Sequence, residues 1–167
     1  MKLKFVAVAA LAAFTSVGAL AVNLGTIPPT ASFAKTVAAG SFLDTWTFNL
    51  TTPSIVAASA TNVAISFGAI NAGAIGSFAA LLNGVPLGLS SFASTNNGVT
   101  VHTQVLSGST NLPAGMFNLT VSGVAGVGGA SYGGNIVAVA VPEPETLAMM
   151  LAGLGAVGFL ARRRQNV

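Results

Sequence analysis

The chain has no cysteine, which excludes a disulfide framework, a thiolate nucleophile and any cysteine-bound metal. Charge is almost as scarce. Six residues of 167 are Lys or Arg and three are Asp or Glu, and their placement matters more than their sum. Lys2 and Lys4 open the chain, Arg162, Arg163 and Arg164 nearly close it, and Glu143 and Glu145 stand just before the last apolar stretch. From Val22 to Val141 the only charged side chains are Lys35 and Asp44. The pI of about 10.0 is therefore a property of the two ends. A nucleic-acid surface draws its affinity from clustered cations that neutralise phosphates; a body with one lysine has no such cluster, so no nucleic-acid partner is expected.

Catalytic material is also missing. His102 is the sole histidine and Asp44 the sole body carboxylate, too few for a paired-carboxylate or histidine-metal site. A Ser-His-Asp arrangement using His102 and Asp44 is not accompanied by a nucleophile-elbow pattern. Calcium at Asp44 would have to rely on backbone carbonyls, because there is no second body acid. The glycine-rich Gly123 to Gly129 lacks the Lys-Ser/Thr ending of a phosphate loop. The expectation is a protein that is not an enzyme, with no catalytic residues, no cofactor and no metal.

What is present divides the chain into four parts. Met1 to Lys4 is basic, Phe5 to about Val17 is apolar, and Ala19 and Ala21 are the small residues that a signal peptidase reads. Residues 1–21 are thus expected to be a helical signal peptide cut after Ala21. Residues 22–41, with Pro28-Pro29, read as an irregular lead-in. Residues 42–141 carry a period-two pattern with frequent turn residues, the signature of an antiparallel β-sandwich, jelly-roll-like, of seven or eight strands. Phe42, Asp44, Trp46 and Phe48 share one face of a strand. Asn83-Gly84 predicts a tight hairpin, with Pro86 confining its second arm to an edge or a bulge. Val99, Val101, Thr103 and Val105 alternate with Thr100, His102, Gln104 and Leu106.

The fourth part, residues 142–167, holds Thr146 to Ala161, sixteen residues without a charge. As a helix they rise ~24 Å, against a hydrocarbon core of ~30 Å. Bilayer thinning and snorkelling arginine stems accommodate that difference. A transmembrane helix over about 146–161 is expected, stopped by Arg162, Arg163 and Arg164 on the cytoplasmic side.

The tripeptide Pro142-Glu143-Pro144, the apolar stretch containing Ala152-Gly153-Leu154-Gly155 and the three arginines resemble, in that order, a PEP-CTERM sorting signal, also described as an ice-binding-protein C-terminal motif. The resemblance implies export across the inner membrane of a Gram-negative, exopolysaccharide-producing bacterium. It also implies transient anchoring there, recognition at Pro142, Glu143 and Pro144 by an exosortase, and a final place at the cell surface or outside it. Phe42-Leu43-Asp44-Thr45-Trp46-Thr47-Phe48 is similar to the opening motif of the FxDxF subfamily. Residues 112–123 and 132–134 resemble the closing strands of such domains, with Phe117 where a tyrosine is expected.

These features imply a non-enzymatic surface or matrix protein associated with exopolysaccharide or biofilm. The alternative is a glycan-binding module, and exposed Trp46 and Tyr132 would favour it; the alternation instead assigns Trp46 to the core. Ice binding would require a regular threonine array, which the sequence lacks. Asn49-Leu50-Thr51 and Asn118-Leu119-Thr120 fit the glycosylation pattern, for which chance is the simpler explanation in a bacterial protein.

Overall fold

The computed structural model describes residues 21–27, 30–142 and 144–164. The expected signal peptide, with Ala19, lies outside them except for Ala21, and so does Glu143. Eleven strands precede one helix: β1 (Ala21–Thr26), β2 (Thr30–Val37), β3 (Gly40–Leu50), β4 (Ser54–Phe67), β5 (Ile70–Ala72), β6 (Ile75–Leu82), β7 (Val85–Pro86), β8 (Gly88–Asn96), β9 (Val99–Leu112), β10 (Gly115–Ala125), β11 (Ala130–Ala140) and α1 (Pro144–Arg164). One sheet has the order β1-β3-β10-β6-β7. The other has the order β2-β11-β4-β9-β8, with β5 added to β4. Pairing is antiparallel apart from β1, which lies parallel to β3.

Strand alternation builds the core. Trp46, Phe48 and Leu50 of β3 point inward with Leu119 and Val121 of β10, and Val56, Leu106 and Ile136 answer from the facing sheet. Each such side chain contributes roughly 1.5–3 kcal/mol by leaving water. The β6–β7 hairpin forms as its Asn-Gly turn predicts, with Asn83 at φ 48° and Gly84 at φ 81°. Pro86 ends that arm at the sheet edge, because it has no N–H to offer a further neighbour.

Three expectations need correction. The segment 22–41 is not an irregular lead-in: it contains β1 and β2, which cover one edge of each sheet. Pro28 and Pro29 lie outside the described residues, between the end of β1 at Thr26 and the start of β2 at Thr30. Second, β8 was not anticipated. All of its residues are exposed, so it lacks a buried apolar phase to reveal it, although Asn97 and Gly98 at φ 48° and 77° form the turn into β9. Third, among the described residues no helix is long and apolar enough to cross a membrane. α1 stands where the span was expected, but Glu145 and the arginines fall within its 21 residues and shorten its uncharged part.

The face assignment in β9 is also instructive. The phase of Thr100, His102 and Gln104 continues into buried Leu106, yet His102 is exposed and Thr100 and Gln104 are half-buried, while Val101 on the other phase is exposed with Val63 and Ile65.

Gly134 of β11 shows how closely the elements fit. A Cβ there would run into the carbonyl oxygen of Ser59 and lie 2.8 Å from Cζ of Phe33. Gly134→Ala is expected to lose about 3 kcal/mol of unfolding free energy, the upper range for overpacking. Gly76→Ala, whose Cβ would meet nothing nearer than 3.7 Å, should stay within about 0.5 kcal/mol of the parent. Urea unfolding of both variants checks this, and equal losses would show that Gly134 is not constrained by packing.

Candidate functional site

Asp44 is the first position where chemistry was anticipated, and the structure gives both of its oxygens partners. Lys35 on β2 pairs with Oδ1, and the Tyr132 hydroxyl on β11 donates to Oδ2 at 2.7 Å. Trp46 Nε1 donates to the same Tyr132 oxygen at 3.3 Å. Lys35 and Tyr132 are register partners across β2 and β11, while Asp44 and Trp46 sit two apart on β3 in the opposite sheet. The cluster is therefore a polar bridge through an apolar interior. Asp44 is 4 % exposed and Tyr132 3 %. Aromatic rings enclose it: Phe42 stacks on Tyr132 at 5.6 Å and Phe33 lies 5.0 Å from Trp46.

Burying a carboxylate is costly unless it is paired and hydrogen-bonded, and here both conditions hold. Each Asp44 oxygen thus has one partner, Lys35 on Oδ1 and Tyr132 on Oδ2. Among the described residues no group of three acidic, histidine or cysteine side chains is placed to hold a metal. Phe42, Asp44, Trp46 and Phe48 form one inward row on β3.

His102 is on β9, exposed, with Nε2 3.2 Å from Ser66 Oγ. No hydrogen bond or ion pair among the described residues joins this pair to a carboxylate.

His102 does line an open pocket of about 280 Å³ beside the β5–β6 connection. The pocket floor includes Asn62, which is 1 % exposed. Its Nδ2 donates to the carbonyls of Gly73 and Ser131, each at 2.8 Å, while its Oδ1 has no partner. Neighbouring strands set Gln104 and Ser91 in the same cross-strand row. Sequence reasoning missed this site. Its one legible signal is an amide in the small apolar phase Ala58, Ala60, Asn62, Ala64.

The tail is the third candidate. β11, central in its sheet between β2 and β4, ends at Ala140, and Val141 N–H donates to Pro53 O at 3.0 Å. Pro142 is exposed and Pro144 opens α1, a position that suits a residue without an N–H. Glu145 in the first turn complements the helix dipole, and the arginines complement its other end. Leu147, Met149, Met150, Leu151, Leu154 and Val157 are all exposed. This apolar surface has no cover from the sandwich.

Burial, reinforced by the hydrogen bond to Asp44 and its charge, raises the Tyr132 pKa far above the ordinary phenol range. A raised folded-state pKa leaves stability unaffected below the unfolded value of about 10 and lowers it as pH climbs beyond that point, by up to ~1.4 kcal/mol per pH unit. Tyr132 is the sole tyrosine, so phenolate absorbance reports on it alone. Native protein should show no phenolate until it unfolds, and Tyr132→Phe should flatten part of the alkaline stability loss. Ionisation near pH 10 in the folded protein would overturn the assignment. Asp44→Ala, which strands Lys35 and the Tyr132 hydroxyl, should cost about 3 kcal/mol equally with and without calcium. Protection of the parent alone by calcium would restore a metal role.

No curated protein matches the chain. Among solved structures, the pre-peptidase C-terminal domain of a collagenase from Bacillus anthracis is similar, with 16 % identity over 71 % of this chain and 96 % of that one, at a TM-score of 0.42. Residues 140–164, the exposed tail and the last residue of β11, match the PEP-CTERM protein-sorting motif, which implies export and membrane-associated sorting as an exosortase substrate.

Proposed function

We propose that this chain is a non-enzymatic component of the cell surface or extracellular polysaccharide matrix of a Gram-negative bacterium, delivered there by exosortase processing of its tail. The observation that carries this reading is the sorting motif at residues 140–164, joined directly to the end of a central strand. Pro142, which follows that strand, is exposed, which supports access by a membrane enzyme. The exposed apolar side chains of α1 suit that encounter, since they have no partner in the sandwich.

The non-enzymatic part of the reading is supported by how the body uses its few ionisable groups. Lys35, Asp44 and Tyr132 are committed to one another, and His102 contacts a serine without a carboxylate behind it. A neutral surface of Ser, Thr and Asn suits assembly within a hydrated polymer, because it contributes little mutual repulsion. Assignment to the FxDxF subfamily is supported by the inward row Phe42, Asp44, Trp46 and Phe48, and by β10 and β11 in the closing-strand positions.

The glycan-binding alternative loses its first version. Trp46 and Tyr132 are 5 % and 3 % exposed, so neither can stack on a sugar ring. Any sugar contact must come from other side chains, among which Phe67 and Phe92 are exposed aromatics.

Intact-mass measurement of the protein from its host, with and without the exosortase, tests the delivery claim. The expected result is a C-terminally shortened chain in the parent strain and a complete tail in the deletion strain. Glu143→Ala should reproduce the complete tail in the parent strain. A complete tail in every strain contradicts exosortase processing.

A further inference from the structure

We propose that the β8 edge pairs antiparallel with β8 of a second copy of this chain, closing a symmetric dimer through residues 88–96. β8 is the last strand of its sheet, and among the described residues it bonds only to β9. In an antiparallel ladder alternate residues exchange hydrogen bonds with the neighbouring strand, and the N–H and C=O groups of the others point away from it. No other strand or side chain among the described residues engages those outward groups, and all nine residues of β8 are exposed.

A free strand edge is a template for another strand, and folded proteins normally blunt it. The other edges among the described strands are blunted. β7 has two residues and includes Pro86, and β5 has three residues. β1 breaks its register with β3 between Asn23 and Thr26, and β2 turns Lys35 inward to Asp44. β8 has none of these devices: it lacks proline and formal charge, and its register with β9 runs unbroken from the Gly88–Ser107 pair to the Asn96–Val99 pair.

A second copy is the partner that fits this edge. Antiparallel pairing of a strand with itself is isologous, so each contact is made twice. A twofold axis through Phe92 sets that residue against the partner's Phe92, and Ser90 against the partner's Ser94. Charged strands would place like charges across such an axis, at a cost; residues 85–112, which span β7, β8 and β9, contain no Asp, Glu, Lys or Arg. Phe92 is 63 % exposed and shares a cross-strand row with Thr103 and exposed Val63, and exposed Val101 and Ile65 are paired in the next row. Pairing covers the two Phe92 rings with one another and continues this apolar face across the axis. Because it consumes the one unblunted edge of each copy, assembly closes at two and does not grow into a fibre. Nine residues are fewer than the ~20–30 per side of a standard interface, so the dimer is reversible. It forms with the tail intact or removed, and so stands apart from the delivery claim.

The experiment is sedimentation equilibrium of the full chain in a density-matched detergent, at up to ~100 μM chain. The mass should rise reversibly with concentration from one chain to two. Phe92→Lys and Phe92→Glu should each weaken association about ten-fold or more, and an equimolar mixture of the two should associate more tightly than either alone. Association through α1 would be indifferent to these changes. The chain has no cysteine, so a single introduced thiol reports on the register. Facing Cα atoms of an antiparallel pair lie ~4.5–5.5 Å apart, within the ~4.4–6.8 Å that a disulfide spans. Phe92→Cys should therefore cross-link to a dimer in oxidised glutathione and Ser90→Cys should not, a comparison that decides the matter even if the charged variants fail to fold. A single-chain mass at every concentration overturns the proposal. So does a dimer indifferent to Phe92→Lys, a mixture no tighter than its components, or equal cross-linking at the two positions.

Discussion

One buried carboxylate organises this body. Asp44 enters the interior on β3, and its two oxygens are met by groups from the facing sheet, Lys35 and Tyr132. Hydrophobic burial is non-directional and would tolerate several offsets between two sheets rich in Ala and Val. A carboxylate that must find a cation and a hydroxyl tolerates very few, because an uncompensated buried charge is severely penalised. The cluster therefore sets how β3 lies over β2 and β11, and with it the alignment of the inward rows. Gly134 then lets Phe33 pack over β11 beside the cluster.

Because the body's formal charges are used internally, its surface has to be solvated by hydroxyls and amides. That arrangement leaves a domain with little electrostatic steering, suited to a crowded, neutral surrounding. The ends supply what the body lacks: a basic start and a tail that combines a sorting motif, an apolar helix and three arginines. Destination and cargo are thus separable in physical terms. Leu147, Met150, Leu154 and Val157 of α1 are exposed, whereas the inward side chains of the two sheets share one core.

Much of the fold was legible because alternation is strong in β3 and β10, where aromatic and aliphatic side chains occupy every second position. The Asn83-Gly84 turn was legible because positive φ angles favour those residues. Legibility failed where burial is modest. β1, β2 and β8 lie at sheet edges, so their alternation is weak, and the Pro-Pro pair in the sequence between β1 and β2 reads as irregular. In β9 the alternation separates the valine phase from that of His102 and Gln104, and His102 is exposed although its cross-strand partner Ala64 is buried. The alternation of β3 sets Asp44 on one face with Phe42, Trp46 and Phe48, but its partner Tyr132 is 88 residues away and no local pattern connects them. The pocket was invisible for the same reason: its residues meet only through cross-strand register.

A double-mutant cycle between Asp44→Ala and Tyr132→Phe, read by equilibrium unfolding at neutral pH, measures the inter-sheet bridge most directly. A coupling free energy of about 1–3 kcal/mol is expected for two buried groups in one hydrogen-bonded network. Additivity within about 0.3 kcal/mol would contradict it, and the alignment of the two sheets would then have to be attributed to apolar packing alone.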